Sequence, residues 1–167
     1  MNPLFDFDAI DLRLLDQLQS DASISNLELA QRTHVSPATA LRRVKRLVDA
    51  GAIERRVAIL SPQALGEVLT ALVEVTLDRQ GAEHLGAFEA RAVAEPAVQQ
   101  CYRVAPGPDF VLVVQVRDMA DYRALVQRLF TQDANVRNVK AFFSVKRAKF
   151  ESRLPLPQLR TSAPPAP

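Results

Sequence analysis

Residues 25–51 read SNLELAQRTHVSPATALRRVKRLVDAG, and their spacing predicts two short helices joined by a tight turn. Ser25 and Glu28 stand in the S-x-x-E relation of a capping box, so a helix starts here and runs through Leu27, Leu29 and Ala30. Thr33-His34-Val35 forms the turn, with histidine among the residues that tolerate left-handed backbone. Ser36 then caps a second helix, with Pro37 at its first helical position and Gly51 just past its end. Two helices joined in this way make a helix-turn-helix, whose second helix enters a DNA major groove.

The second helix divides its work by face. Ala40, Val44, Leu47 and Val48 recur at helical spacing and form the stripe expected to pack on other helices. Thr39, Arg42, Arg43 and Arg46 recur on a different face. The arginine fork binds phosphate oxygens, or O6 and N7 of guanine, in bidentate fashion. Asp49 is the only acid between Ser36 and Gly51, so these arginines are expected to lack carboxylate partners. The competing explanation is an ordinary solvated charged face. The expected DNA-binding set is Ser36, Pro37, Ala38, Thr39, Arg42, Arg43 and Arg46, joined by Arg55 and Arg56 near the phosphate backbone.

Charge is distributed unevenly. The net value of +2 over 167 residues says little, but from Ser36 to Arg56 six basic residues face Asp49 and Glu54 alone. From Met1 to Val35 six acids face Arg13 and Arg32. A concentrated basic patch attracts polyphosphate in a way that an average charge does not. Other classes are set aside. The apolar runs are too short for a bilayer, and the acidic start lacks the basic region of a signal peptide, so a soluble, intracellular chain without membrane contact is expected. Cys101 is the only cysteine, which leaves no intrachain disulfide, and it is expected as a small core residue of a strand. Two distant histidines make no zinc cluster, and five glycines supply no phosphate-binding loop. No cofactor, metal or catalytic residue is expected.

Outward from the opening stretch, Asp8–Gln19 is expected as a first helix burying Ile10, Leu14, Leu15 and Leu18. Ile53–Leu60 is expected as a strand leaving the DNA-binding unit, and residues 61–67 as a hinge between helix-breaking ends. From Val68 the period changes. Strands are expected at 69–77, 98–104, 109–117 and 136–146, and helices at 82–94, burying Leu85, Phe88 and Ala92, and at 119–131, burying Tyr122, Leu125, Val126, Leu129 and Phe130. The order β-α-β-β-α-β is the ferredoxin-like arrangement. The fold class is therefore α+β: a helix-turn-helix domain, winged, over 1–60, a hinge over 61–67, a ferredoxin-like domain over 68–150, and a C-terminal extension over 151–167 whose proline-rich end, from Gln158, is expected to be disordered. Strands apolar on both sides (Phe110, Leu112, Val114, Val116 against Val111, Val113) imply that a second copy covers the face the helices leave open. Such a dimer places two recognition helices to meet successive major grooves about 34 Å apart.

These pieces together carry a resemblance. Phe7-Asp8-x-x-Asp11-x-x-Leu14-Leu15-x-x-Leu18, Ser25-Asn26-x-Glu28-Leu29-Ala30, Val35-Ser36-Pro37, Arg43-Val44-x-Arg46-Leu47-x-x-x-Gly51-x-Ile53, Asp109-Phe110, Asp118-Met119-x-x-Tyr122 and Lys149-x-x-x-x-Leu154-Pro155-Leu156 stand in the order found in the leucine-responsive regulatory protein/AsnC (feast/famine) family. The chain resembles that family from about Phe7 to Leu156. The resemblance implies a sequence-specific transcriptional regulator acting in the cytoplasm on the nucleoid. It further implies binding of double-stranded operator DNA as a homodimer that assembles further, often to an octamer. Its second domain, of the RAM or ACT-like kind, would sense an amino acid or other small metabolite at contacts between dimers.

On the effector side the chain departs from the family pattern. Pro106 stands where the family loop has glycine, Gly107 follows one position late, and Asp109 keeps the acidic position. Proline fixes φ and removes a donor, which alters a pocket built on that backbone. In the last strand, Val136, Val139 and Ala141 replace the usual turn and hydroxyl-bearing residues, and Lys140 is new. Two alternatives share parts of the pattern: a sirohaem-decarboxylase-like enzyme of the same layout, and a nucleoid-organising protein that binds DNA mainly by charge.

Overall fold

The computed structural model describes residues 6–66 and 68–157; the expectations for Glu67 and for Gln158–Pro167 fall outside them. The described residues form two compact units, one built from residues 6–59 together with 149–157, the other lying within Leu60–Ala148.

The first unit is a three-helix core of α1 (Ala9–Ser20), α2 (Asn26–Thr33) and α3 (Pro37–Asp49). Asp8 caps α1, accepting the N–H groups of Ile10 and Asp11 at 2.9 Å each, while the Asp11 carboxylate accepts the Asp8 N–H at 3.3 Å. Two of the orphan donors of the first turn are satisfied reciprocally by an aspartate pair. Leu14, Leu18, Leu29, Ala30, Ala40, Val44 and Leu47 form the core, with Ile10 and Leu15 only partly buried at its edge. The expected strand over 53–60 is not found: Glu54–Leu60 is irregular and largely exposed, and among the described residues this unit has no β-ladder to act as a wing. Val57 and Ile59 have apolar side chains suited to a strand, but a strand requires a hydrogen-bonding neighbour and the unit supplies none.

Residues 149–157 belong to this unit as well. Arg153 Nη2 meets Asp16 Oδ1 at 2.7 Å, and the Leu154 N–H donates to Gln19 Oε1 at 3.0 Å, so the Leu154-Pro155-Leu156 motif lies along α1.

The expected hinge contains a helical turn, α4 (Pro62–Leu65), ended by Gly66 at φ 103°. The second unit then follows the expected order: β1 (Leu69–Leu77), α5 (Ala82–Ala94), β2 (Val98–Arg103), β3 (Phe110–Val116), α6 (Met119–Val126) and β4 (Val136–Phe143). Its antiparallel sheet has the order β2-β3-β1-β4. The helix expected to reach Thr131 does so through a wider π turn, Gln127–Thr131, in which Gln132 N–H reaches back to Gln127 O. β4 stops at Phe143, short of the expected Lys146, and Val145 is fully exposed.

Alternation sets which face meets the helices. Ala71, Val73, Val75 and Leu77 of β1 and Phe110, Leu112 and Val114 of β3 are fully covered, packed with Phe88, Ala92, Tyr122, Leu125, Leu129 and Phe130. Phe88 holds the centre, its ring centroid 4.9 Å from Phe110 and 6.5 Å from Phe130. Among the described residues no helix covers the opposite face. Across it Val113, Leu72 and Phe142 stand side by side in register, Leu72 and Phe142 each 44% exposed, with Lys140 Nζ 4.8 Å from the Phe142 ring centroid.

Phe88→Ala removes the side chain that joins helix and sheet. It is expected to destabilise the second unit by about 3–5 kcal/mol, read by denaturant unfolding followed by circular dichroism.

Candidate nucleic-acid interface

The turn between α2 and α3 is built from local bonds. Ser25 Oγ accepts the Glu28 N–H at 3.2 Å, while the Glu28 carboxylate turns instead to Arg32 one turn on, so only half of the expected box forms. His34 takes φ 57° and ψ 47°, the left-handed conformation that ends α2, and the Val35 N–H returns to Ala30 O. Thr33 is buried, its hydroxyl donating to Leu29 O at 2.7 Å and its carbonyl accepting Arg13 Nε–H at 3.2 Å. Asn26 Nδ2 donates to Pro37 O at 2.9 Å and bolts the start of α2 to the first turn of α3.

Ser36 caps α3 as expected, its Oγ accepting the Thr39 N–H at 3.2 Å and its hydroxyl donating to Thr39 Oγ1 at 2.9 Å. Thr39 therefore spends an acceptor on the cap and keeps its own hydroxyl proton for another partner. Beyond the helix Gly51 has φ 75°, and the Ala52 and Ile53 N–H groups both return to Leu47 O. A helix closed at both ends presents its outer face rigidly.

That face is not as uniform as its arginines suggest. Arg43 lies about 40° around the helix from buried Leu47, close to the core stripe rather than opposite it. Its Nη1 bonds Asp8 Oδ2 at 2.6 Å and Asp11 Oδ1 at 3.0 Å. Arg46 Nη2 bonds the other oxygen of Asp11. The expectation of unpaired arginines is thus corrected at Arg43 and Arg46, whose carboxylates come from α1 rather than from their own helix. Arg43 is mostly enclosed, with Nε buried and without a partner, whereas half of Arg46 faces solvent. Arg42 and Lys45 are exposed and make no hydrogen bond or ion pair within the described chain. Lys45 was missing from the expected set, although its place between Arg42 and Asp49 on the outward face is legible from helical spacing.

Val48 is a second correction. Expected in the packed stripe, it is 44% exposed and lines an open groove of about 450 Å³ with Leu41, Lys45, Ile53, Arg55 and Arg56. Ser36, Pro37 and Ala38 are exposed.

The electrostatics of the α1–α3 contact follow from the geometry. Burial alone would raise the pKa of Asp8, but the Asp11 N–H, the Arg43 guanidinium and the Ile10 N–H outweigh it and hold the carboxyl below its ordinary range. Hydrogen bonds to Asp8 and Asp11 raise the pKa of Arg43.

Of the expected effector residues, Asp109 on one side and Val136 and Val139 on the other meet the same end of β1. Pro106 follows a cis Ala105–Pro106 bond, and Gly107 has φ 129°. The Asp109 N–H donates to Val75 O at 2.9 Å and its Oδ2 accepts the Leu77 N–H at 2.7 Å, so this acid is committed to the end of β1. Val136, Val139 and Ala141 pair with Leu77, Val75 and Val73 and share their helix-covered face. On that face they are only partly buried, on the strand at the edge of the sheet. Cys101 is half-buried on β2, as expected, and burial pushes its thiol pKa up, with Glu89 adding to the effect. His84 is partly buried on α5 beside Glu83. Among the described residues no group of three or more His, Cys, Asp or Glu could hold a metal ion, and no helix is long and apolar enough to cross a membrane.

Comparison with known proteins agrees with both units. Residues 7–54 match a winged helix-turn-helix DNA-binding family model, and residues 70–154 match the Lrp/AsnC ligand binding domain. An uncharacterised HTH-type transcriptional regulator of Haemophilus influenzae is 36% identical over 87% of this chain and 86% of its own. A leucine-responsive regulatory protein of Rhizobium meliloti is 35% identical over 86% of this chain and 92% of its own. A transcriptional regulator of Neisseria meningitidis, solved in complex with L-methionine, superposes with a TM-score of 0.79 at 29% identity, covering 89% of this chain and 96% of that one.

Two outcomes are expected of the α1–α3 contact. Arg43→Ala leaves Asp11 short of a charged partner and costs about 1.5–3 kcal/mol of stability, measured by urea denaturation. Because the Asp8 pKa is lower in the folded state, its contribution is complete above the unfolded carboxylate value of about 3.9. It is lost as pH falls through the folded value, so an acid titration of Asp8→Asn shows a shallower fall in stability below about pH 4 than the parent chain.

Proposed function

The chain belongs to the Lrp/AsnC family of helix-turn-helix transcriptional regulators, and from that premise we propose that it reads operator DNA as a homodimer, with residues 36–50 in the major groove. One observation carries this assignment. On a recognition helix closed at both ends, Arg42 and Lys45 point outward with no partner in the described chain. Cations left free on a rigid face suit a polyanion, since phosphate binding supplies most of the affinity of such modules.

In this assignment Arg42 and the Thr39 hydroxyl reach base edges, while Lys45, Arg46, Arg55 and Arg56 meet phosphates. Arg43 stays within the protein and supports the helix. The Ser36-Pro37-Ala38 turn approaches the backbone closely because its side chains are short.

Homodimerisation is supported by the helix-free face of the sheet, where Val113, Leu72 and Phe142 form an apolar row that a second copy would cover. Further assembly to an octamer follows the family pattern. An amino acid or similar small metabolite is the effector class, supported by the L-methionine complex of the structurally similar regulator. The contact region in this reading is the Pro106–Asp109 loop together with Val136, Val139 and Ala141 of β4. The chain works by binding rather than catalysis, in the cytoplasm, on chromosomal DNA.

Selection of duplexes from a random pool tests the assignment, and equal retention of all sequences with a steep salt dependence would indicate a nucleoid-organising protein instead. Arg42→Ala is expected to weaken the selected duplex by about 1–3 kcal/mol and relax preference at one base pair. Lys45→Ala weakens all duplexes alike and lowers the salt slope by about one, as measured by fluorescence anisotropy. Leu72→Asp places a charge in the apolar row and is expected to shift the protein to monomer in sedimentation.

A further inference from the structure

We propose that Asp11 is a specificity-determining residue of this protein, a positioning residue that fixes the register of α3 on DNA by anchoring Arg46. The proposal rests on the DNA-binding assignment above.

Asp11 has no exposed surface. A carboxylate in such a place is tolerated only when every charge and lone pair is matched. Its Oδ1 meets Arg43 Nη1 at 3.0 Å, and its Oδ2 meets Arg46 Nη2 and accepts the Asp8 N–H at 3.3 Å. The two arginines differ in one respect. Arg43 side-chain exposure is 18% and Arg46 side-chain exposure is 56%, so the same buried acid grips one guanidinium inside the unit and one that emerges at its surface.

An emerging arginine held in this way differs from a free one. Guanidinium has five N–H donors in a fixed fork, and Asp11 engages one nitrogen of Arg46, leaving donors directed at solvent in a set orientation. Little side-chain freedom is then left to lose on binding. The cluster is also close to neutral, with Asp8 and Asp11 balancing Arg43 and Arg46. Long-range attraction to DNA therefore falls to Arg42, Lys45, Arg55 and Arg56, which are exposed and unengaged in the described chain. The contribution of Arg46 is geometric. One phosphate met at a set place fixes the register in which Thr39 and Arg42 meet the bases, because phosphate contacts position and base contacts specify.

Asp11→Asn tests this, since asparagine keeps the oxygen that accepts the Asp8 N–H and removes the charge that anchors Arg46. Affinity is measured by anisotropy over a salt series, for the duplex that the parent chain selects from a random pool and for a scrambled duplex of equal length. The ratio of the two affinities is expected to fall about tenfold, the scale of one lost discriminating contact. The salt slope on the scrambled duplex is expected to steepen by about one as the Arg46 charge is released. In an Arg46→Ala background, Asp11→Asn should lower the ratio no further. An unchanged ratio, or equal weakening on both duplexes, overturns the proposal and leaves Asp11 a purely structural acid. Failure of the parent chain to prefer any duplex overturns the reading of operator DNA instead, so the two failures are distinct. If circular dichroism shows that Asp11→Asn does not fold, Arg46→Lys decides. It keeps the charge without the fork, and a lowered ratio at an unchanged slope supports the proposal, whereas a retained ratio overturns it.

Discussion

Asp11 carries a negative charge into a part of the three-helix unit that solvent does not reach, and there it is shared among Arg43, Arg46 and the backbone of its own helix start. The contact joins the first turn of α1 to the middle of α3 across more than thirty residues of sequence, as the separations of 32 and 35 residues show. Much of the unit is arranged around it. Asp8 caps α1 through one carboxylate oxygen and reaches the same Arg43 through the other. Removing either partner of such a buried pair costs more than the pair itself contributes, because a charge is left without water or counterion. The basic residues of α3 are thereby sorted into an anchored pair, Arg43 and Arg46, and a free pair, Arg42 and Lys45.

In the second unit the corresponding constraint is the two-residue period of the strands. It sends Ala71, Val73, Val75 and Leu77 into one core with Phe88 and Phe110, and it leaves Val113, Leu72 and Phe142 together on the other side. One face is completed by the helices of this chain, and the other is suited to completion by a second copy. The same period places Val136, Val139 and Ala141, partly buried, on the helix-covered side of the edge strand. At that end of the sheet Asp109 is bound through both its backbone N–H and its carboxylate to β1. The Pro106–Gly107 turn therefore projects from a fixed base.

Much of this was legible in the chain itself. Ser36, Pro37 and Gly51 bound α3 because capping, a missing donor and a left-handed residue are local requirements, and His34 accepts the left-handed turn for the same reason. The second unit was legible from alternation and helical spacing, with β1 and α5 at their expected limits. Less local features were not. Residues 53–60 have strand-like composition, but without a neighbour to bond they remain irregular. Val48 continues an apolar stripe, but the groove beside it stays open.

Sequence alone therefore determined the elements, their order, the family likeness and the basic side of the second helix, because spacing along one element acts over only a few residues. Which of the basic side chains remain free was decided only in three dimensions. Arg42 and Arg43 are adjacent and chemically identical, but about 100° of helical rotation turns one outward and the other toward the acids of α1. Only the packing of α1 on α3 makes that difference count.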